Sequence, residues 1–136
     1  MPSSDSSGKG GKTGKDRVTG RRKIRQGGTF EQQAARFYEQ QGFSVRDTNW
    51  RTGHKEIDLV VEKDSLLVIV EVKSTFSTKF GHPAEWVDEK KRRNLTQAAL
   101  LYLAQYDITD RDVRFDVVTF VNNQLEHYPD AFPAEQ

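Results

Sequence analysis

The segment from Gly53 to Lys73 limits this chain more than any other, because it sets two β-branched runs on either side of a polar turn and loads them with four ionisable groups. Ile57 to Val61 and Leu66 to Val72 supply the strand formers, and Glu62-Lys63-Asp64-Ser65 between them has turn chemistry, so the spacing predicts an antiparallel hairpin. With Asp64-Ser65 as a two-residue tip, Asp58 opposes Glu71 and Glu56 opposes Lys73. Side chains alternate with period two, so this register sends all four to one face. Facing like charges weaken a strand pair by up to about 1 kcal/mol. Two carboxylates about 5 Å apart repel by roughly 3 kcal/mol at an effective dielectric near 20. A divalent cation turns that repulsion into binding: hard ions such as Mg²⁺ take carboxylate oxygens while keeping several waters, and a nearby lysine can orient an attacking water or steady a phosphate. The same residues leave open a plainer role, with Lys73 neutralising Glu56 or Asp58 in a structural ion pair.

The 136 residues contain no internal repeat and fit one domain with a tail. A body of about 110 residues buries roughly 65 % of its unfolded surface, enough to fold alone. There is no cysteine, which excludes disulfides and thiolate metal sites. No apolar run is long enough for a signal peptide or a bilayer span, so a cytoplasmic protein without a membrane partner is expected. The net charge of +1 hides an asymmetry: residues 1 to 26 hold eight Lys/Arg against Asp5 and Asp16, and the remainder holds thirteen Lys/Arg against eighteen Asp/Glu. Residues 1–27 are rich in Ser, Gly, Lys and Arg and poor in apolar side chains, and predict a disordered basic tail. The run Arg21-Arg22-Lys23-Ile24-Arg25 suits salt-sensitive attraction to phosphates, or simple solubilisation.

The domain is expected over 28–128, with 129–136 as a C-terminal tail. Thr29 followed by Gln32 is a capping box, and Phe30, Ala34, Phe37 and Tyr38 form an apolar stripe ending near Gly42. Glu31 lies off that stripe in the first turn, where a carboxylate suits the helix dipole. Phe43 to Trp50 reads as a first strand and Arg51-Thr52-Gly53-His54 as the loop into the hairpin. Ser74 to Pro83 reads as a loop beside the charged cluster. From about Ala84 to Tyr106 the pattern is helical, with Val87, Leu95, Ala98, Ala99, Tyr102 and Leu103 on one face and Lys90-Lys91-Arg92-Arg93 near the start. Val113 to Val121 alternates as a strand, Asn122-Asn123 makes a turn, and Leu125 to Tyr128 forms a short edge strand. The helix allows the strand at Val113 to return parallel to the one ending at Lys73 through a right-handed crossover.

These strings resemble a known pattern. Asp58, then Glu71-Val72-Lys73 one strand later, after a helix with an early Glu, resembles the restriction-endonuclease-like superfamily with its PD-(D/E)xK motif. Lys55-Glu56-Ile57-Asp58-Leu59, Val70-Glu71-Val72-Lys73, Phe80-Gly81-His82-Pro83, Lys90 to Arg93 and Arg114-Phe115-Asp116-Val117-Val118 together look like the YraN-like family of predicted endonucleases, over roughly Gly28 to Val121. The resemblance implies an α/β fold with an αβββαβ core, a central mixed sheet flanked by helices. It implies Asp58, Glu71 and Glu31 as ligands of Mg²⁺ or Mn²⁺, and Asp58, Glu71 and Lys73 as the catalytic set. The implied activity is hydrolysis of DNA phosphodiester bonds, on branched or single-stranded forms. Lys55, Lys90, Arg93 and Arg51 are the expected contacts to nucleic acid. Lys55 stands where many members have Gly, and Phe30 where Gly is common. The alternative is a catalytically inactive nucleic-acid-binding or scaffolding module on the same fold. The apolar neighbours of the hairpin are also suited to a homodimer contact.

Overall fold

A computed structural model describes residues 28–76 and 86–135. Its elements are α1 (Phe30–Gln40), β1 (Ser44–Thr52), β2 (Lys55–Lys63), β3 (Leu66–Thr75), α2 (Glu89–Gln105), β4 (Asp112–Val121) and β5 (Gln124–Phe132). The tail expected over 1–27 and residues 77–83 of the expected loop lie outside the described residues.

The five strands form one mixed sheet in the order β1-β2-β3-β4-β5. Pairing is antiparallel except between β3 and β4, which run parallel because α2 carries the chain back over the sheet. One helix covers each face. Thr29 begins α1 as predicted: its hydroxyl accepts from the Gln32 N–H at 3.0 Å, and the Gln32 side chain accepts from the Thr29 N–H at 3.0 Å. Ala34, Ala35 and Tyr38 of α1 then bury against Leu59, Val61, Val68, Val70, Val118 and Phe120. On the other face, Leu95, Ala98, Ala99 and Tyr102 of α2 bury against Val60, Leu67, Ile69, Phe115 and Val117. The two alanines let α2 approach the sheet closely. Each fully buried Leu, Ile or Val contributes on the order of 1.5–3 kcal/mol. Residues Leu67 to Val70 of β3 are covered on both faces, which explains an unbroken apolar run where an exposed strand would alternate.

Several boundaries differ from the sequence reading. β1 runs to Thr52, paired with Lys55, so the expected four-residue loop is a two-residue turn made possible by Gly53 at φ +59. α2 starts at its cap Asp88, whose carboxylate accepts from the Lys91 N–H at 2.9 Å, and Trp86 and Val87 precede the helix. β5 extends through Pro129 to Phe132 where a short strand and a tail were expected, because Asp130 N–H donates to the buried Asp116 at 2.9 Å and Phe132 stacks on Phe115. The end of the chain stays on α2 beyond that point, through Glu135 to Arg92 at 3.0 Å and to Thr96 at 3.0 Å.

The hairpin follows the predicted register, Lys63 with Leu66 through Leu59 with Val70, around a tip in which Asp64 takes φ +56. The ladder ends there. Glu56 therefore does not face Lys73; it pairs with Arg51 of β1 instead, at 3.4 Å.

Candidate active site

Where the ladder stops, the Asp58 carboxylate takes over from the backbone: its Oδ2 accepts from the Val72 N–H at 2.8 Å. A side chain thus satisfies a donor that β2 would otherwise pair, and the two strands separate around it. Glu71 and Lys73 alternate with Val70 and Val72, which face α1, so both point toward α2. Asp58, between Leu59 of the α1 face and its own neighbours, joins them. The predicted cluster of Asp58, Glu71 and Lys73 therefore occupies one face.

Glu71 is 5 % exposed and Lys73 Nζ lies 3.4 Å from its Oε2. A second ammonium, Lys91 Nζ from α2, lies 3.5 Å from the same oxygen. Burial, then the Asp58 charge, pushes the Glu71 carboxyl up to about 7, against the pull of the two lysines. Burial also raises Asp58, while the Val72 N–H and Lys91 oppose the rise. The pair is thus a crowded like-charge site holding a proton that an isolated carboxylate would lose. Next to Lys73 in the β3–β4 register stands Thr119, on the same face as Val117, fully buried and with no hydrogen-bond partner for its hydroxyl among the described residues. An orphaned buried hydroxyl costs about 1–3 kcal/mol.

Two carboxylates with hard oxygen donors, beside a hydroxyl left unsatisfied among the described residues, fit Mg²⁺ or Mn²⁺, ions that bind through one or two carboxylates and keep water. Glu31, expected as a third ligand, is not part of this group. It belongs to α1 on the opposite side of the sheet, and among the described residues no three His, Cys, Asp or Glu side chains gather to hold a metal.

The expected nucleic-acid contacts divide. Lys55 bonds to Asn94 Oδ1 at 2.9 Å and lines a polar cleft of about 210 Å³ beside the carboxylates, together with His54, Glu56, Lys91, Asn94 and Leu95. Lys90 is exposed, Arg93 is held by Glu89 at 2.7 Å, and Arg51 is exposed and paired with Glu56. Lys91 was not among the expected contacts, yet it is the member of its basic run that reaches Glu71. Its signal was in the spacing: Lys91 stands one turn before Leu95 and heads the row continued by Ala98 and Tyr102.

The opposite face holds a second polar network. Asp116, fully buried, accepts from Tyr38 at 2.7 Å and from Arg114 at 2.8 Å, and bonds to His127 at 2.9 Å. Burial alone would raise this carboxyl, but the hydrogen bonds from His127, Arg114, Tyr38 and the Asp130 N–H outweigh it and hold Asp116 at about 2. Asp116 is structural, tying α1 to β4 and β5.

Sheet order and crossover define an α/β protein with a five-stranded mixed sheet flanked by two helices, the αβββαβ core expected from the sequence followed by one more strand. The chain belongs to the uncharacterised protein family UPF0102, whose model matches residues 30–120. It is 38 % identical to a UPF0102 protein of Persephonella marina over 102 residues, 75 % of this chain and 88 % of that one. It is 39 % identical to one of Myxococcus xanthus (79 % and 89 % covered) and 40 % identical to one of Bacteroides thetaiotaomicron (75 % and 87 % covered). The match spans every residue of the cluster.

Proposed function

We propose that this protein is a metal-dependent endonuclease that hydrolyses DNA phosphodiester bonds. The observation carrying this reading is the convergence of Asp58 and Glu71 with two ammonium groups at the point where the hairpin opens. Asp58 and Glu71 are the residues that would hold Mg²⁺ or Mn²⁺, and the ion would polarise the scissile phosphate and acidify a bound water. The protein's own part is electrostatic. Asp58 is fixed by the Val72 N–H, so its second oxygen keeps a set position. Lys73 stands where it can orient the attacking water or offset the charge that grows on the phosphate. In the reaction, water oxygen bonds to phosphorus, one P–O ester bond breaks, and the leaving oxygen takes a proton. Branched or single-stranded DNA is favoured as substrate, since no base-reading module accompanies the site among the described residues.

The test is cleavage of linear, single-stranded and four-way DNA with Mg²⁺ or Mn²⁺. Asp58→Ala and Glu71→Ala should each lower the rate at least a hundredfold, on the order expected when a principal charge-stabilising group is removed, with circular dichroism unchanged. If both variants cut like the parent, the site is wrongly assigned. Tight DNA binding without turnover on any substrate would favour an inactive binding module instead.

A further inference from the structure

The Glu71 Oε2 atom carries two ammonium groups, and they differ in how they are held. Lys73 projects from a central strand, whereas Lys91 reaches across from the first turn of α2 on a flexible stem and also lines the polar cleft. With Asp58 and Glu71 ionised, the two lysines bring the four-residue cluster to neutrality. A dication added to that set leaves two positive charges in excess, and one ammonium loses its reason to remain on Glu71. The cleft offers Lys91 another position. Its lining of Lys55, His54 and Asn94 against one carboxylate, with Leu95 as the apolar member, suits an oxyanion better than an aromatic base.

We propose that Lys91 occupies two positions: in the metal-free protein its ammonium stands on Glu71 in the place of a divalent cation, and once a cation binds there it turns into the cleft to hold a DNA backbone phosphate. This inference rests on the nuclease reading, and it assigns Lys55, Lys91 and Asn94 to a phosphate subsite. Its consequence is unusual for a substrate-binding lysine. Removing the charge should strengthen metal binding while weakening DNA binding.

Calorimetric titration with Mn²⁺ at pH 8.5, without DNA, tests the first half. Lys91→Met keeps the stem, and should bind Mn²⁺ about fivefold more tightly than the parent, the gain expected from losing one competing charge near 4 Å in a water-like dielectric. Lys91→Arg should stay near the parent, and Lys63→Met, at the exposed tip of the hairpin away from the carboxylates, should leave Mn²⁺ affinity unchanged. The second half is read from oligonucleotide anisotropy with Ca²⁺: Lys91→Met should bind more weakly, with a salt slope shallower by about one. A parent that binds Mn²⁺ while Lys91→Met binds it no tighter overturns the inference alone. Should the parent bind no Mn²⁺, the nuclease reading falls and takes the inference with it.

Discussion

Glu71 holds its proton to about 7 because burial and the Asp58 charge outweigh two lysines, and this sets a sign for stability against pH. The unfolded carboxyl titrates near 4.5, so between about 4.5 and 7 the folded protein keeps a proton that the unfolded chain has released. Stability contributed at this position therefore falls as pH rises through that window. Glu71→Gln cannot ionise, and should be more stable than the parent at pH 8 by on the order of 1–3 kcal/mol while differing little at pH 4.5. Urea denaturation at the two pH values measures this, and an equal difference at both would show that Glu71 is not held protonated. At this scale the sequence was legible where alternation alone decides direction, as for Glu71 and Lys73. It was silent where packing decides. Four consecutive cations point around a helix, and only the seating of Leu95 and Tyr102 on the sheet selects Lys91. Glu31 shows the opposite failure: its place in the first turn was read correctly, but the side of the sheet that α1 covers removed it from the cluster.

The β2–β3 hairpin gathers the carboxylates and lysines because it is an incomplete hairpin. Its two-residue tip and apolar pairs hold the near half, and the Asp58–Val72 bond props the far half open. Hairpin existence and register followed from period-two patterning, but the end of the ladder did not, since a carboxylate in a strand reads the same whether it faces solvent or replaces a backbone acceptor. The consequence is a split between two substitutions at Asp58. Asparagine keeps an acceptor for the Val72 N–H, whereas alanine leaves that donor unsatisfied in a half-buried position, at a cost of about 1–3 kcal/mol. Asp58→Ala should therefore be less stable than Asp58→Asn, with faster hydrogen exchange at the Val72 amide, although both remove the charge that the proposed metal would use. Equal exchange in the two variants would mean that the bond does not set the opening. Helix and strand ends were misplaced for a related reason: Gly53, Asp88 and the Asp130 N–H fix them through local turns, a cap and a bond to Asp116, none of which hydrophobic period reports.

Charge is distributed unevenly over the chain. The first 26 residues hold eight Lys/Arg and two Asp, while the rest of the chain carries five more acidic than basic groups. Within that acidic body Arg46, Arg111 and Arg114 are already paired, with Glu62, Glu62 and Asp116 respectively, so they add little attraction for a polyanion. On the proposed nuclease reading, local cations at the cleft position a phosphate, and the long-range attraction for DNA comes mainly from the basic segment. Counterion release makes that contribution visible as salt dependence, close to one unit of slope for each phosphate neutralised. Deleting residues 1–26 should weaken DNA binding most at low salt and flatten the slope by several units, roughly one for each basic residue engaged. It should leave Mn²⁺ affinity unchanged, because Asp58, Glu71, Lys73 and Lys91 all lie in the body. The pattern separates the segment from the site: lost metal affinity would tie the segment to the carboxylates, and an unaltered salt slope would place the attraction for DNA on the body after all.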